Sequence, residues 1–312
     1  MDNLKKIGLT ALGTVLVAGQ AQAATVSASA STSINFLGQD NGDDGNGWSM
    51  TDSVTFSASG EMDNGFTVST TLELDGDVMD TRNIVIDTGD MGKLTFSGDG
   101  TSGPVGSWDD MTPSANEESW GVGYAGTPDT PANGSAITHN IFTYDYTIMD
   151  GLALKASYVP SHTTGAVEGS VDYGVKFSPS AIEGLDVYAA MGENNDAANS
   201  ADVSMMAVSY ASGPLSIGYQ VNETDFGTGT ADEDFSALGI SYAVSDDLSV
   251  SINSSTIDYE ASTKDDQEAT AVSFSHTSGG MTISGSYGSM DNVAGTSTAD
   301  NNAYELNVKF AF

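Results

Sequence analysis

The stretch Tyr304-Glu305-Leu306-Asn307-Val308-Lys309-Phe310-Ala311-Phe312 decides the fold. Read at period two, Tyr304, Leu306, Val308, Phe310 and Phe312 fall on one face of a strand. Glu305, Asn307, Lys309 and Ala311 fall on the other. An apolar strand left at an open sheet edge invites aggregation. A closed membrane barrel needs such a strand, apolar toward lipid, polar toward a wet interior, with its edge sealed by the first strand. The alternative is a buried edge strand, and the rest of the chain separates the two.

The same alternation runs back through the sequence. Val26, Ala28, Ala30, Thr32, Ile34 and Phe36 share one face of the first strand, opposite Ser27, Ser29, Ser31, Ser33 and Asn35. Leu152, Leu154, Ala156 and Tyr158 oppose Ala153, Lys155 and Ser157. Val171, Tyr173, Val175 and Phe177 oppose Asp172, Gly174 and Lys176. Leu215, Ile217, Tyr219 and Val221 oppose Ser216, Gly218, Gln220 and Asn222, and Leu248, Val250 and Ile252 oppose Ser249, Ser251 and Asn253.

Connections alternate too. Tight-turn signals occur at Met62-Asp63-Asn64-Gly65, Asp90-Met91-Gly92, Met149-Asp150-Gly151, Ser212-Gly213-Pro214, Ser245-Asp246-Asp247 and Gly279-Gly280. Between them lie longer acidic, Gly/Asn-rich stretches at 39–47, 161–168, 195–200, 226–232, 260–267 and 293–300. Short turns on one side and long loops on the other describe an outer-membrane barrel. The pattern predicts sixteen strands, at 24–38, 48–60, 66–76, 82–89, 93–98, 137–148, 152–160, 169–178, 185–194, 201–212, 215–225, 233–244, 248–259, 268–278, 281–292 and 301–312. The fold class is therefore all-β, a sixteen-stranded antiparallel transmembrane barrel. A secreted β-solenoid lacks a fixed repeat length here and leaves the terminal aromatic strand unexplained. The inward set is small and polar and cannot fill a barrel of this circumference, which predicts a water-filled channel.

Composition agrees. The chain has 312 residues, no Cys and a formal net charge of −35. Such acidity suggests disorder, but 39% hydrophobic residues in ordered alternation oppose it. Residues 1–23 read as a secretory signal. Lys5 and Lys6 precede an apolar stretch from Ile7 to Ala18, too short to span a bilayer, and Ala21-Gln22-Ala23 fits the cleavage pattern. A buried N-terminal helix is the alternative. Residues 24–312 form the barrel, which must enter the membrane as strands, and absence of Cys excludes disulfide staples and thiol chemistry.

One connection breaks the rhythm. Segment 99–136 carries Pro104, Pro113, Pro128 and Pro131 together with Trp108 and Trp120. A loop this long is functional or disordered, and its aromatic residues argue for packing. Folded inward it narrows the pore and places Asp99, Asp109, Asp110, Glu117 and Glu118 at the neck. As an exposed cap over the mouth, its acids are merely solvated.

An Ala-x-Ala signal, sixteen alternating strands, a long insertion after the fifth strand and a terminal Phe together resemble the Gram-negative general diffusion porins. The resemblance spans 24–312. It implies a homotrimer in the cell outer membrane, contacting its lipid, with each pore constricted by an inward-folded third external loop, here 99–136. It also implies that Phe310 and Phe312 act as the assembly signal read by the outer-membrane insertion machinery. The small outward residues Ala28, Ala30 and Thr32 suit a subunit contact. The chain departs from the family in its cations. Porins of this type set loop carboxylates against an Arg cluster, whereas Arg82 is the single Arg here. Lys93, Lys155, Lys176 and Lys309 are the inward-phase cations, and with Arg82 they make up the expected lumen wall charges. A net negative neck follows.

Other motifs carry little. Gly121-Val122-Gly123-Tyr124-Ala125-Gly126 matches a dinucleotide fingerprint as a string, but Thr127-Pro128-Asp129 follows where a helix is required. Asp40-Asn41-Gly42-Asp43-Asp44-Gly45 attracts Ca²⁺ by charge without calcium-loop spacing. No resident metal or cofactor is expected, with loop-bound Ca²⁺ left open. His139, His162 and His276 form no ligand spacing, and no nucleophile elbow occurs. No enzyme activity and no nucleic-acid partner are expected. The reading is a passive, cation-preferring channel for small hydrophilic solutes and ions. The alternatives are a secreted or surface Ca²⁺-binding adhesin and a substrate-specific channel of the same fold.

Overall fold

The computed structural model describes residues 24–40, 47–131, 140–161, 169–195, 200–227 and 232–312. The signal segment 1–23, most of the acidic stretch at 41–46, residues 132–136 of the long insertion, His139 and His162 lie outside the described residues.

Sixteen strands follow one another around a wall. They are β1 (Thr25–Gln39), β2 (Trp48–Glu61), β3 (Thr67–Asp75), β4 (Val78–Asp87), β5 (Lys93–Asp99), β6 (Ile141–Met149), β7 (Leu152–Val159) and β8 (Ser170–Phe177). Then come β9 (Leu185–Asn194), β10 (Ala201–Ser212), β11 (Leu215–Phe226), β12 (Glu233–Ala243), β13 (Leu248–Tyr259), β14 (Gln267–Ser278), β15 (Met281–Asp291) and β16 (Asn301–Ala311). Each pairs antiparallel with its chain neighbours, and β16 pairs with β1, closing the barrel. The seam runs from Ser31 opposite Ala311 to Gln39 opposite Ala303. Phe312 N–H donates to the Ala30 carbonyl at 2.8 Å, so the last residue of the chain completes the ladder.

The two faces invert the pattern of a soluble protein. Ile34, Val54, Leu154, Ile252, Val272 and Leu306 are large, apolar and exposed on the outer face. Ser33, Thr143, Gln220, Asn253, Ser273 and Ser286 are polar and buried on the inner one. Lipid solvates the first set, and only strands whose polar groups are all paired survive in it.

Two sequence expectations need correcting. β4 begins at Val78 and not at 82, joined to β3 by a tight turn at Gly76, whose φ of 59° suits glycine. Leu74 pairs with Met79 but Glu73 with Thr81, leaving Asp80 as a bulge that breaks the period. The inner face is also not uniformly small and polar. Val203, Met205, Phe235, Ile257 and Met290 are buried there. They cluster with Val105, Trp108, Trp120, Val122 and Tyr124 of the β5–β6 connection, which covers them.

The face assignment makes a prediction within one strand. Val272→Lys places a charge in lipid and should lower folding stability in vesicles by about 2–4 kcal/mol if it lies near the midplane. Ser275→Lys, on the inner face of the same strand, should cost far less. Urea titration of tryptophan fluorescence in lipid vesicles measures both, and equal costs would contradict the assignment.

Candidate functional site

The connection from β5 to β6 is the one long segment with aromatic residues, and its described part, through Pro131, lies against inner-face side chains. It starts with a helical turn at Pro104–Ser107, where Ser107 Oγ meets Lys155 Nζ of β7. Gln220 of β11 then holds the backbone twice. Its Oε1 accepts from Met111 N–H at 2.8 Å, and its Nε2 donates to the Asp109 carbonyl at 2.6 Å. Asn253 of β13 donates to the Pro113 carbonyl at 3.1 Å, and Ser251 Oγ accepts from Ala115 N–H at 2.9 Å. Ser273 of β14 donates to the Glu117 carbonyl at 3.0 Å. On β16, Glu305 accepts from Gly123 N–H at 2.9 Å and Asn301 from Ala125 N–H at 3.1 Å. Inner polar side chains thus satisfy a backbone that has no ladder of its own.

Apolar anchors alternate with these bonds. Val105 and Trp108 pack on Tyr188, Ala190, Val203 and Met205. Trp120 stands edge-on to Phe235, with ring centroids 5.0 Å apart. Val122 and Tyr124 pack on Ala271, Met290 and Ala303. Two inward glycines make room, since a Cβ at Gly174 would strike Trp108 and one at Gly288 would strike the Tyr124 hydroxyl.

Four of the five sequence-predicted acids come together. Asp109, Asp110, Glu117 and Glu118 are near enough to raise one another's pKa. Burial pushes Asp109 up to about 6, helped by Asp110 and opposed by a backbone hydrogen bond. Burial also raises Asp110. Burial, then Glu305 and Glu118, push Glu117 up to about 7. Burial raises Glu118 to about 7, against a backbone hydrogen bond, with Asp110 and Asp109 adding to the rise. Asp99 stands apart, its carboxylate 2.9 Å from Arg82 Nε where β5 ends.

A cavity of about 610 Å³ remains between this segment and the wall of β1–β3, β15 and β16. Asn116 and Glu117 of the segment line it together with Glu305 of β16 and the wall residues Ser31, Ser33, Ser49, Thr51, Glu73 and Asp75. Sequence reasoning placed Glu305 on the inward face but left it out of the site, and it missed Glu73 and Asp75. The period-two rule marks Glu305. The period-two rule marks the other two as well, since on β3 they share the inward phase of Thr67, Ser69 and Thr71 opposite Leu72 and Leu74.

The cations divide. Lys93, Lys155 and Lys176 line a second cavity of about 880 Å³ beneath Trp108, and Lys309 lines the first. Lys93 pairs with Asp87 at 3.3 Å and Lys176 with Asp186 at 3.1 Å. Arg82 does not join them. It sits opposite Leu72, on the outer face with Ile84, and lies over Gly98. Phe310 pairs with Thr32 on the outer face, and Phe312 is exposed beyond it. Among the described residues, no three His, Cys, Asp or Glu side chains are placed to hold a metal ion.

A closed antiparallel barrel, apolar outside and polar around an interior cavity, defines a channel-type protein of the outer membrane. The profile of the Gram-negative porins matches residues 8–312, and the chain belongs to that family. Solved structures share the fold. The anion-selective porin from Comamonas acidovorans superposes with a TM-score of 0.70 at 13% identity, covering 93% of this chain and 100% of that one. Salmonella typhi OmpF, in complex with daunomycin, gives 0.71 at 14% identity, covering 92% and 97%. Vibrio cholerae OmpT in its trimer form gives 0.69 at 13%, covering 93% and 100%. No curated relative matches the chain.

The raised carboxyl values predict a pH response. Each acid is neutral below its pKa and anionic above it, so the segment gains negative charge as pH rises through about 6 to 7. The cation-to-anion permeability ratio should therefore rise from about pH 5 to about pH 8, and Glu117→Gln with Glu118→Gln should flatten most of that rise. Reversal potentials across a salt gradient at each pH measure it.

Proposed function

We propose that the chain forms a passive, water-filled pore for small hydrophilic solutes and ions, that segment 99–131 narrows it, and that the pore prefers cations. The observation carrying this reading is the cavity lined by Glu117, Glu305, Glu73 and Asp75, with Lys309 as its one lining lysine. Carboxylates lining a narrow passage concentrate cations and repel anions, and confinement weakens the screening that bulk water provides. Two of the lysines beneath Trp108, Lys93 and Lys176, are paired with carboxylates of their own, which reduces their pull on anions.

The anion-selective porin from Comamonas acidovorans shares the architecture at 13% identity, a level that carries fold and leaves selectivity to local side chains. A homotrimer belongs to the same reading, supported by the trimeric Vibrio cholerae relative and by the small outward residues Ala28, Ala30 and Thr32 on β1. Family membership gives the adhesin alternative no support.

Neutralising Asp109, Asp110, Glu117 and Glu118 to Asn and Gln should lower the cation-to-anion permeability ratio several-fold. A unit charge at about 4 Å is worth about 1 kcal/mol even in bulk water. Flux of a neutral sugar in liposome swelling should change much less. A ratio indifferent to all four substitutions would remove this segment from the selectivity mechanism.

A further inference from the structure

Two charged side chains stand on the outer face at a depth where the far wall is apolar. Asp52 of β2 shares its outward phase with Met50, Val54 and Phe56, and Arg82 of β4 shares its own with Ile84. Their depth follows from the register. The row of paired residues that starts at Thr25, the first of β1, passes through Ser59, Val85 and Glu233 and reaches Tyr259, the last of β13. Each step to the next strand therefore climbs toward the long-loop side. With strands ~4.8 Å apart, ~3.3 Å per residue and a tilt of ~40°, the climb is ~3 Å per strand and ~2.5 Å per residue. Asp52 lies seven residues above this row on β2, and Leu238 lies five below it on β12, ten strands further on. The two then agree in depth to within ~2 Å. Arg82 lies three residues above the row, two strands on from Asp52, and so ~4 Å nearer the tight-turn side.

Leu238 suits hydrocarbon at that depth, whereas a carboxylate and a guanidinium do not. The rim is low here as well. The β3–β4 turn ends beside Asp52, whose carbonyl accepts from Gly76 N–H at 2.8 Å. Its polar residues thus lie deeper than the contact of Trp48 with Phe36, an aromatic pair of the interfacial kind four residues above Asp52. The chain offers Asp52 one cation. Lys5 and Lys6 fall in segment 1–23, Lys93, Lys155, Lys176 and Lys309 line the lumen cavities, and Lys264 binds Asp129 and Glu233. Among the described residues Arg82 is the one outward cation. Within its own chain it turns the other way. Its Nε meets Asp99 of β5 at 2.9 Å, and ~10 Å of wall separates β4 from β2. The Arg82 side chain is still 52% exposed, and its fork has N–H groups for a second carboxylate.

We propose that Asp52 of one copy pairs with Arg82 of the next, so that β1–β2 of each barrel packs against β4–β5 of its neighbour. Rotation about the membrane normal preserves depth, so residues meet across such a contact only where their depths match. These two match within the reach of an Arg side chain. The contact is heterologous and closes into a ring. Ala28 and Ala30 of β1 lie opposite Phe56 and Val54 of β2, and their small side chains let two walls approach. The guanidinium then holds two carboxylates, Asp99 in its own chain and Asp52 across the interface. The ion pair takes both charges out of lipid at once. The inference rests on the homotrimer reading and names the contact that fixes how the copies meet.

The test uses the full-length protein in outer-membrane vesicles. Asp52→Cys with Arg82→Cys, treated with a short bis-maleimide, should run as covalent dimers and trimers on denaturing gels, several-fold more than either single variant. Asp52→Leu should lower the temperature at which the oligomer dissociates in semi-native gels, and Asp52→Glu should largely preserve it. A lipid-facing Asp52 would give the opposite result for Leu, which decides the matter if the double Cys variant fails to fold. An intact oligomer without 52–82 cross-links, single Cys variants that cross-link as well as the double one, or an Asp52→Leu oligomer of undiminished heat stability would overturn the proposal and leave the homotrimer standing. An unheated wild type that runs as a monomer would overturn the homotrimer reading, and this contact with it.

Discussion

Hydrocarbon offers no hydrogen bonds, and this constraint orders everything else in the molecule. Each peptide group within the bilayer must be paired by the chain itself. A sheet meets that demand only by closing, and here closure extends to the last residue, where Ala30 and Phe312 exchange backbone bonds. Once the sheet is closed, period two assigns every side chain to lipid or to lumen. Val272 and Ser273 are neighbours in sequence and belong to different solvents.

The inner face then carries a second layer of organisation. A segment with four prolines cannot add to the sheet ladder, so its backbone groups need other partners. Gln220, Asn253, Ser273, Asn301 and Glu305 provide them, one strand after another. The same segment brings Trp108 and Trp120 against apolar inner positions of β9–β13, leaving open space on the opposite wall. Burial by that packing is also the largest cause of the raised carboxyl pKa values, so the contacts that hold the segment set the pH range in which it is charged.

Much of this was legible in the sequence because lipid imposes a strict rule. Ile217-Gly218-Tyr219-Gln220-Val221 alternates without exception, and β11 is where the alternation places it. The rule failed where a bulge inserts a residue. Asp80 displaces the start of β4. Arg82, expected as a lumen charge, keeps the outer phase of Ile84 in unbroken register, so there the alternation held and was misread. The strands beneath the inserted segment left a signal that went unread. Val203, Met205, Met206, Ala207 and Val208 make β10 apolar on both faces, as expected of a strand covered on both sides. Asp109, Asp110, Glu117 and Glu118 were singled out together because they lie in one segment. Glu73 and Asp75 come from another part of the wall, and only the closed barrel brings them to the same cavity as Glu117.

The central claim is that segment 99–131 is seated on the inner wall. The chain contains no Cys, so an engineered pair reports without background. Ala115 N lies 2.9 Å from Ser251 Oγ. Cysteines at these two positions should fall within the short Cβ separation that a disulfide requires, about 3.5–4.5 Å. Mild oxidation of the Ala115→Cys, Ser251→Cys variant in the native outer membrane should consume both thiols, seen as loss of maleimide labelling after denaturation, with single-channel conductance retained. Two thiols that stay free after oxidation, in a protein that conducts normally, would contradict the account.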